Sequence, residues 1–301
     1  MKTLIQSTLI FFLFGFLNAS DILDENNRFL SFLDKEWQYE LSQSPVYATA
    51  MGIKGYETSW TDYSVRAIEE RRLRSIKTLS TLRTFNKNKL NKSNQLNLRL
   101  YSQLIETDIK LSSFKRYLLP FSHRGGVQLA HEDAESLSLK TLEDYRFWLE
   151  RIKNLDKRID QTISLAKLGL NENYRSPKVL MKRVLRQINI QTNSDVEGHP
   201  FYQVFKDLPS SISLEEQKKL KEDAKKIIKE IVIPSYESLE EFFRSEYLPN
   251  SRLTVGIYDI PKGKQFYEEL AKSFTTTDMT PKDIHKIGLQ EVSRIRKEMQ
   301  D

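Results

Sequence analysis

A long apolar periodicity in the middle of the chain constrains the fold more than any other feature. After Thr141, apolar side chains recur at alternating three- and four-residue steps as far as Leu170. They are Leu142, Tyr145, Leu149, Ile152, Leu155, Ile159, Ile163, Ala166 and Leu170. The spacing predicts one amphipathic helix of about 28 residues, about 42 Å long, with Gly169 as a stop signal near its end.

The rest of the sequence extends this helical pattern, and about eight helices are predicted in all. Ser64 and the Ser213–Glu216 pair are predicted helix caps, and Pro234 is expected to kink a helix. Ten glycines and nine prolines in 301 residues are too few for an all-β chain rich in tight turns. We therefore predict a mostly α, irregular multi-helix domain of long antiparallel helices. It would hold at most one short β element, near residues 253–260.

The first nineteen residues form a separate segment. A lysine precedes an apolar run, Leu9 to Leu17, and Asn18-Ala19-Ser20 provides a cleavage point. This pattern predicts a secretory signal peptide, residues 1–19, cut after Ala19, and a periplasmic or secreted helical domain over residues 20–301. An uncleaved membrane anchor is the alternative.

Cysteine is absent from the sequence. Its absence excludes disulfides, thiolate zinc sites, cysteine nucleophiles and a lipid anchor of the bacterial lipoprotein kind. The sequence also lacks the phosphate-loop, dinucleotide-binding, nucleophile-elbow and HExxH motifs. The nearest approach to a zinc motif is His131 with Glu135, and its surroundings favour a polar surface loop.

The positive charge is concentrated in one segment. The whole chain has a formal net charge of +6, whereas the segment from Tyr63 to Leu100 carries ten Lys/Arg against two glutamates. Such a face could bind nucleic acid or anionic lipid, although a solvated helix surface is the simpler interpretation. Export and the lack of interleaved aromatic residues exclude a nucleic-acid partner.

Two loop segments are candidates for the walls of a binding cleft. The first, YLLPFSHRGGVQL, must break any helix at its proline and glycines. The second contains the turn VGIYDIPKG and is followed by His285, one turn into the last helix. A buried core position is the simpler interpretation of this histidine, and a cleft residue that hydrogen-bonds substrate is the alternative. The candidate cleft residues are Arg124, Gly256, Tyr258, Gly263, Tyr267 and His285.

The segment VGIYDIPKGKQFYEELAKSFTTTDMTPKDIHKIGLQEVSRIRKEM resembles the bacterial domain of unknown function 885 family. That family reads roughly G-x-x-x-L-P-x-G-x-x-x-Y, then T-T, then T-x-x-E-I-H-x-x-G-L-x-E-V. The matching residues are Gly256, Pro261, Gly263, Tyr267, Thr275, Thr276, His285, Gly288, Leu289, Glu291 and Val292. Asp283 stands where the family often has glutamate. Earlier pieces, including SPVYATAMGIKGY and YRSPKVLMKRVLRQI, extend the resemblance over nearly all of residues 20–301.

The resemblance implies a helical, exported protein similar to zinc metallopeptidases of the gluzincin type. The zinc helix of that family reads HExxPGHxxQ and follows the segment seen here, and the motif is absent from these residues. The implied protein is therefore an N-terminal portion, truncated before the zinc helix, that forms one wall of a peptide cleft and is inactive alone.

Zinc, in this interpretation, belongs to the full-length parent and is not bound by this chain alone. The implied partners are a peptide substrate and the missing C-terminal half, with no stable membrane anchor after signal cleavage. A non-catalytic helical binding or scaffold protein of the cell envelope is the alternative, favoured by the absence of catalytic motifs. An anionic-surface binder that uses the basic segment is the third.

Overall fold

The computed structural model describes the backbone of residues 2–300 and the side chains of residues 23–300. The predicted signal peptide, residues 1–19, and its cleavage after Ala19 lie outside the described side chains. In the described part, no helix is both long enough and apolar enough to cross a bilayer.

Helices account for nearly all of the regular structure over residues 2–300, which confirms the predicted mostly α fold. The helices are α1 (Lys2–Gln43), α2 (Pro45–Ala50), α3 (Val65–Leu82), α4 (Lys92–Ser112), α5 (Asp133–Ser136), α6 (Leu142–Ile152), α7 (Leu155–Asn171), α8 (Lys178–Asn193), α9 (Leu214–Ile227), α10 (Ile233–Phe242), α11 (Gly263–Thr275) and α12 (Pro281–Glu298). The β pairing described in this range is limited to two isolated bridges, Ser122–Gly125 and Pro177–Arg252. Near residues 253–260, where a short β element was allowed, the chain forms a 3₁₀ turn, Ile257–Asp259.

The predicted single helix after Thr141 is wrong, because the structure has two helices there. Helix α6 ends at Ile152 and α7 begins at Leu155. The Asn154 side chain donates to Glu150 O at 3.0 Å, which is how asparagine competes with helix continuation. Ile152 and Leu155 are both fully buried. The apolar periodicity therefore continues across the turn, and periodicity alone could not reveal the break.

The predicted effect of Pro234 takes the form of a π-helical turn. Residues Ile228–Val232 form this turn between α9 and α10, and Pro234 is the second residue of α10. Proline lacks the N–H that would continue regular α-helical bonding, so a widened turn just before it accommodates the ring. The predicted caps also form: Ser64 Oγ accepts from Ala67 N at 3.2 Å, and Ser213 Oγ accepts from Glu216 N at 3.3 Å.

The chain divides into two compact units. Unit 1 contains residues Met1–Ile109, His131–Gln161 and Ser194–Ser235. One of its cores joins α1, α3 and α4 through Phe29, Leu82, Phe85, Leu90, Leu98 and Ile105. A second group of aromatic side chains includes Trp148, which stacks on Phe201 with ring centroids 6.1 Å apart.

Unit 2 contains residues Lys110–Ala130, Thr162–Asn193 and Tyr236–Asp301. Its core cluster is Phe114, Leu118, Tyr174, Ile260 and Phe266. A carboxylate, Glu240, ties α10 to α8. Burial by itself would raise the pKa of Glu240, but hydrogen bonds from Thr192, Arg244 and Asn189 outweigh burial and lower it. All six candidate cleft residues belong to unit 2.

Candidate cleft residues and the family of the chain

The two candidate tyrosines form one exposed aromatic pair. Tyr258 lies on the 3₁₀ turn and Tyr267 lies on α11, and their rings meet edge to face with centroids 5.6 Å apart. They are 53% and 44% exposed. The apolar anchors beneath them are Ile260 and Phe266, both buried in the core of unit 2. The pair therefore presents two phenol groups to solvent from a well-packed base.

Gly263 is required by packing, and Gly256 is not. A Cβ at Gly263 would lie 2.1 Å from Ile257 O and 2.8 Å from Tyr258 Cα, both backbone atoms that cannot rotate away. The first residue of α11 therefore touches the turn Ile257–Asp259 directly, and we call this turn the tyrosine turn. At Gly256, φ is −68° and a Cβ would meet nothing within 4 Å. The surroundings of Gly256 consequently leave room for a larger group beside Tyr258.

Arg252 holds in place the segment that precedes this turn. Its guanidinium donates to Arg175 O and to Thr254 O, each at 2.8 Å, and lies 3.7 Å from an oxygen of Asp259. Burial lowers the pKa of Arg252, and Asp259 partly opposes that effect. Sequence analysis did not single out Arg252, because an arginine before a turn has no distinctive spacing.

Arg124 stands at the tip of a turn that is held by two glutamine amides, one of them buried. The turn spans Ser122–Gly125, and Arg124 itself is exposed. The Gln128 amide donates to Ser122 O at 2.7 Å, and Gln187 donates to His123 O at 3.0 Å. These bonds hold the backbone beneath Arg124, so its side chain projects from a rigid support.

The same turn is also held from its C-terminal side. The hydroxyl of Tyr236 on α10 donates to Val127 O at 2.6 Å, and both residues are buried. Gln191 donates to Gln128 O at 3.3 Å. Sequence analysis missed these supports. The available signal was two glutamines, Gln187 and Gln191, next to the apolar positions of α8.

His285 is exposed, so the simpler interpretation of a buried core histidine is wrong. It lies on α12, which begins with a capping box between Thr280 and Asp283. No residue of this 18-residue helix is buried. One side of α12 carries apolar residues that face solvent, and Met299, which caps the helix, continues it. We call this side the α12 apolar face: Ile287, Val292, Ile295 and Met299, 44%, 48%, 45% and 82% exposed.

The structure thus brings together some of the six candidates. Gly256 and Tyr258 lie in the turn before α11, and Gly263 and Tyr267 lie on α11 against that turn. Over residues 23–300, the described hydrogen bonds, ion pairs and ring contacts connect neither Arg124 nor His285 to that turn. They are separate positions on unit 2.

A polar groove of about 440 Å³ lies in unit 1 beside Trp60. The Trp60 indole N–H donates to Arg151 O at 2.8 Å, and the guanidinium of Arg158 lies over its ring, 4.4 Å from the centroid. Arg158 pairs with Asp133 at 3.1 Å. The groove is lined by Thr58, Ser59, Trp60, Thr61, Asp62, Glu150, Asn154, Lys157, Arg158 and Gln161. Its cations and carboxylates are therefore mixed and in part already paired.

Beneath this groove, Arg151 is a fully buried cation. Its guanidinium donates to Tyr56 O at 2.7 Å and to Thr49 Oγ1 at 2.8 Å. Burial lowers its pKa to about 10, so it remains protonated at neutral pH. Its position three residues after Trp148, on an apolar helix face, is a signal that sequence analysis did not use.

Across the described residues, no three His, Asp or Glu side chains are grouped so that they could hold one metal ion. His131 and Glu135, the nearest approach to a zinc motif in the sequence, are likewise not part of such a group. The His131 ring packs against Phe201 with centroids 5.9 Å apart, and burial lowers its pKa. The residues present in the described part of the chain do not fit a zinc site.

The described residues define a mostly helical protein with two units, in which α12 buries no residue. The chain belongs to the family described as bacterial protein of unknown function (DUF885), which matches residues 45–301. This confirms the resemblance at the level of the family.

A solved structure described as the putative lipoprotein from Colwellia psychrerythraea is similar to this chain, with a TM-score of 0.75 at 20% sequence identity. The match covers 94% of this chain and 50% of that chain, so this chain spans about half the length of the solved protein. At this identity the likeness shows the fold alone. A comparison with curated proteins gave no match.

Proposed function

We propose that this chain is the N-terminal helical portion of an exported, zinc-metallopeptidase-like hydrolase that acts on peptides. In this proposal it forms one wall of the substrate cleft and is inactive without the remainder of the protein. Zinc and its ligands would belong to that remainder. The description of the similar solved protein as a lipoprotein supports export to the periplasm or beyond.

The exposure of α12 is the observation that carries the proposal. Isolated helices of this length are marginal in water, and most helices in proteins are stabilised by packing an apolar face. Helix α12 has a complete capping box and an apolar face, yet it buries no residue. A further segment packed on the α12 apolar face would supply the missing burial. The similar solved protein is about twice as long as the part that this chain matches, which provides room for such a segment.

The exposed groups of unit 2 would contact the substrate. The phenols of Tyr258 and Tyr267 can donate hydrogen bonds to peptide carbonyls, and their rings can pack on apolar side chains. Arg124 can bind a carboxylate or a carbonyl with its planar fork of donors. His285, on the helix that would carry the remainder, is suited to hydrogen bonding near the junction.

Sequencing the reading frame beyond codon 301 is the first test. A downstream helix of the HExxPGHxxQ type is expected, and its absence would refute the peptidase proposal. The long protein should then bind zinc and hydrolyse a peptide library, whereas the 301-residue chain should do neither.

A matched pair of variants tests the cleft residues in the long protein. Tyr267→Ala is expected to reduce peptide hydrolysis at least tenfold, because the side chain would contact substrate. Tyr47→Ala, at a similarly exposed tyrosine of unit 1 (53%), is expected to leave hydrolysis unchanged. Equal rates for the two variants would remove the tyrosine turn from the cleft. A folded long protein that binds peptides without cleaving them would favour the scaffold function instead.

A further inference from the structure

The outer side of α4 carries three leucines in one solvent-facing row. Leu96, Leu100 and Leu104 follow one another at four-residue steps and are 43%, 53% and 61% exposed. The opposite side of the helix carries Leu98 and Ile105, which belong to the core of unit 1. At 3.6 residues per turn the row points directly away from that core. These leucines therefore lie outside the core cluster of unit 1.

Exposed cations border this row. Lys92 and Arg99 lie along one edge of it on α4, and Lys87 lies on the 3₁₀ turn that precedes the helix. In the part of the chain that the structure describes, none of the three forms an ion pair. Several other cations of the basic segment pair with carboxylates within unit 1, as Arg74 does with Glu36 and Arg83 with Glu106, whereas Arg71 and Lys77 form no ion pair among the described residues. Lys92 and Arg99 thus place two unpaired positive charges beside the leucines.

We propose that this surface, the α4 outer face (Lys92, Leu96, Arg99, Leu100 and Leu104), binds the surface of an anionic phospholipid bilayer. Leucines on one line of a helix can enter the boundary between headgroups and acyl chains, while lysine and arginine at their edge contact phosphates. The combination of apolar row and unpaired cations fits a lipid surface more closely than it fits a protein partner.

The size of the face supports the same choice. A stable protein interface buries about 800 Å² on each partner. Three half-exposed leucines on one helix cover far less than that, which disfavours a second copy of the chain as the occupant. Binding would be peripheral and reversible, because neither three leucines nor a few charges give an irreversible anchor. The proposal is independent of the proposed hydrolase function.

Vesicle flotation with the purified chain tests the proposal. Vesicles of phosphatidylcholine with added phosphatidylglycerol should retain the protein, and vesicles of phosphatidylcholine alone should not. Retention should fall as salt is raised, because screening weakens the attraction between exposed charges. Failure to bind the anionic vesicles at low salt would overturn the proposal.

Two pairs of variants assign the binding to the face. Lys92→Gln with Arg99→Gln should weaken binding about 30-fold, from about 1 kcal/mol for each cation near an anionic surface. The matched control is Lys218→Gln with Lys219→Gln, two exposed lysines of α9, which should bind like the wild type. Equal losses in both pairs would show non-specific charge attraction and would contradict the proposal.

The leucines are tested in the same way. Leu96→Ser with Leu100→Ser should weaken binding at least tenfold, whereas Leu214→Ser, at an 83% exposed leucine of α9, should not. Circular dichroism should show unchanged helix content, since these side chains lie outside the cores. Light scattering on the same samples distinguishes the other occupant. A dimer that dissociates in the leucine variant, with vesicle binding unaffected, would make the face a contact between copies and refute lipid binding.

Discussion

Replacing Gly263 by alanine tests how the tyrosine turn is built. The new Cβ would lie 2.1 Å from Ile257 O, and both of its nearest neighbours are backbone atoms, so the turn or the start of α11 must move. Overpacking of this kind costs typically 1–3 kcal/mol, and we take about 3 kcal/mol because no flexible side chain can yield. Alanine regains up to about 1 kcal/mol from its helix propensity. The expected net loss is about 2 kcal/mol of unfolding free energy.

Gly256→Ala is the matched control for this substitution. Its φ of −68° suits any residue and its Cβ would meet nothing within 4 Å, so alanine should stabilise the chain by about 0.4–1 kcal/mol through the unfolded state. Urea unfolding followed by far-UV circular dichroism measures both variants, and near-UV circular dichroism reports on the tyrosine pair. A Gly263→Ala variant with the stability of Gly256→Ala, and with an unchanged near-UV spectrum, would refute the steric reasoning.

Three further substitutions test supports within the two units, and a fourth serves as a control. Tyr236→Phe should cost about 1–3 kcal/mol, measured by urea unfolding, because it leaves the buried Val127 carbonyl without its donor; Tyr267→Phe, at an exposed ring, should cost little. Glu240→Gln should reduce stability at neutral pH. The folded pKa of Glu240 is lowered, so its contribution to stability is fully present above the unfolded pKa of about 4.3. That contribution is lost as pH falls through the folded pKa. Urea midpoints of the Glu240→Gln variant should therefore vary less with pH in this acidic range than those of the wild type. Thr141→Ala removes the capping box of α6 and should lower the thermal midpoint, through a loss of about 1 kcal/mol.

The helical class was predictable because amphipathic periodicity and caps are local properties of the sequence. The predicted caps at Ser64 and Ser213 both form, since each requires only residues within one turn. The turn at Asn154 was not predictable from periodicity, because Ile152 and Leu155 are buried on both sides of it.

The supports of the candidate site depend on contacts between distant segments, which a single sequence does not reveal. Gln187 on α8 holds the Arg124 turn by donating to His123 O. Just after the turn, Val127 O accepts a hydrogen bond from the Tyr236 hydroxyl on α10. The partner residues are separated by 64 and 109 positions in the chain. The burial of His285 was mispredicted for a related reason: its neighbours on α12 are apolar, but local sequence does not show whether another segment packs on that helix, and among the described residues none of α12 is buried.

Gly256 and Gly263, beside Tyr258, differ in whether the fold requires a glycine. Gly263 has a complete structural explanation, because any larger residue would meet the backbone of the turn itself. Gly256 has none within unit 2, since its backbone is ordinary and its surroundings are open. A side chain introduced at Gly256 would occupy the space beside Tyr258 without disturbing the fold. Substitution there therefore tests the proposed substrate contact in that space, whereas substitution at Gly263 perturbs the backbone that holds the tyrosines, and the two effects can be measured independently.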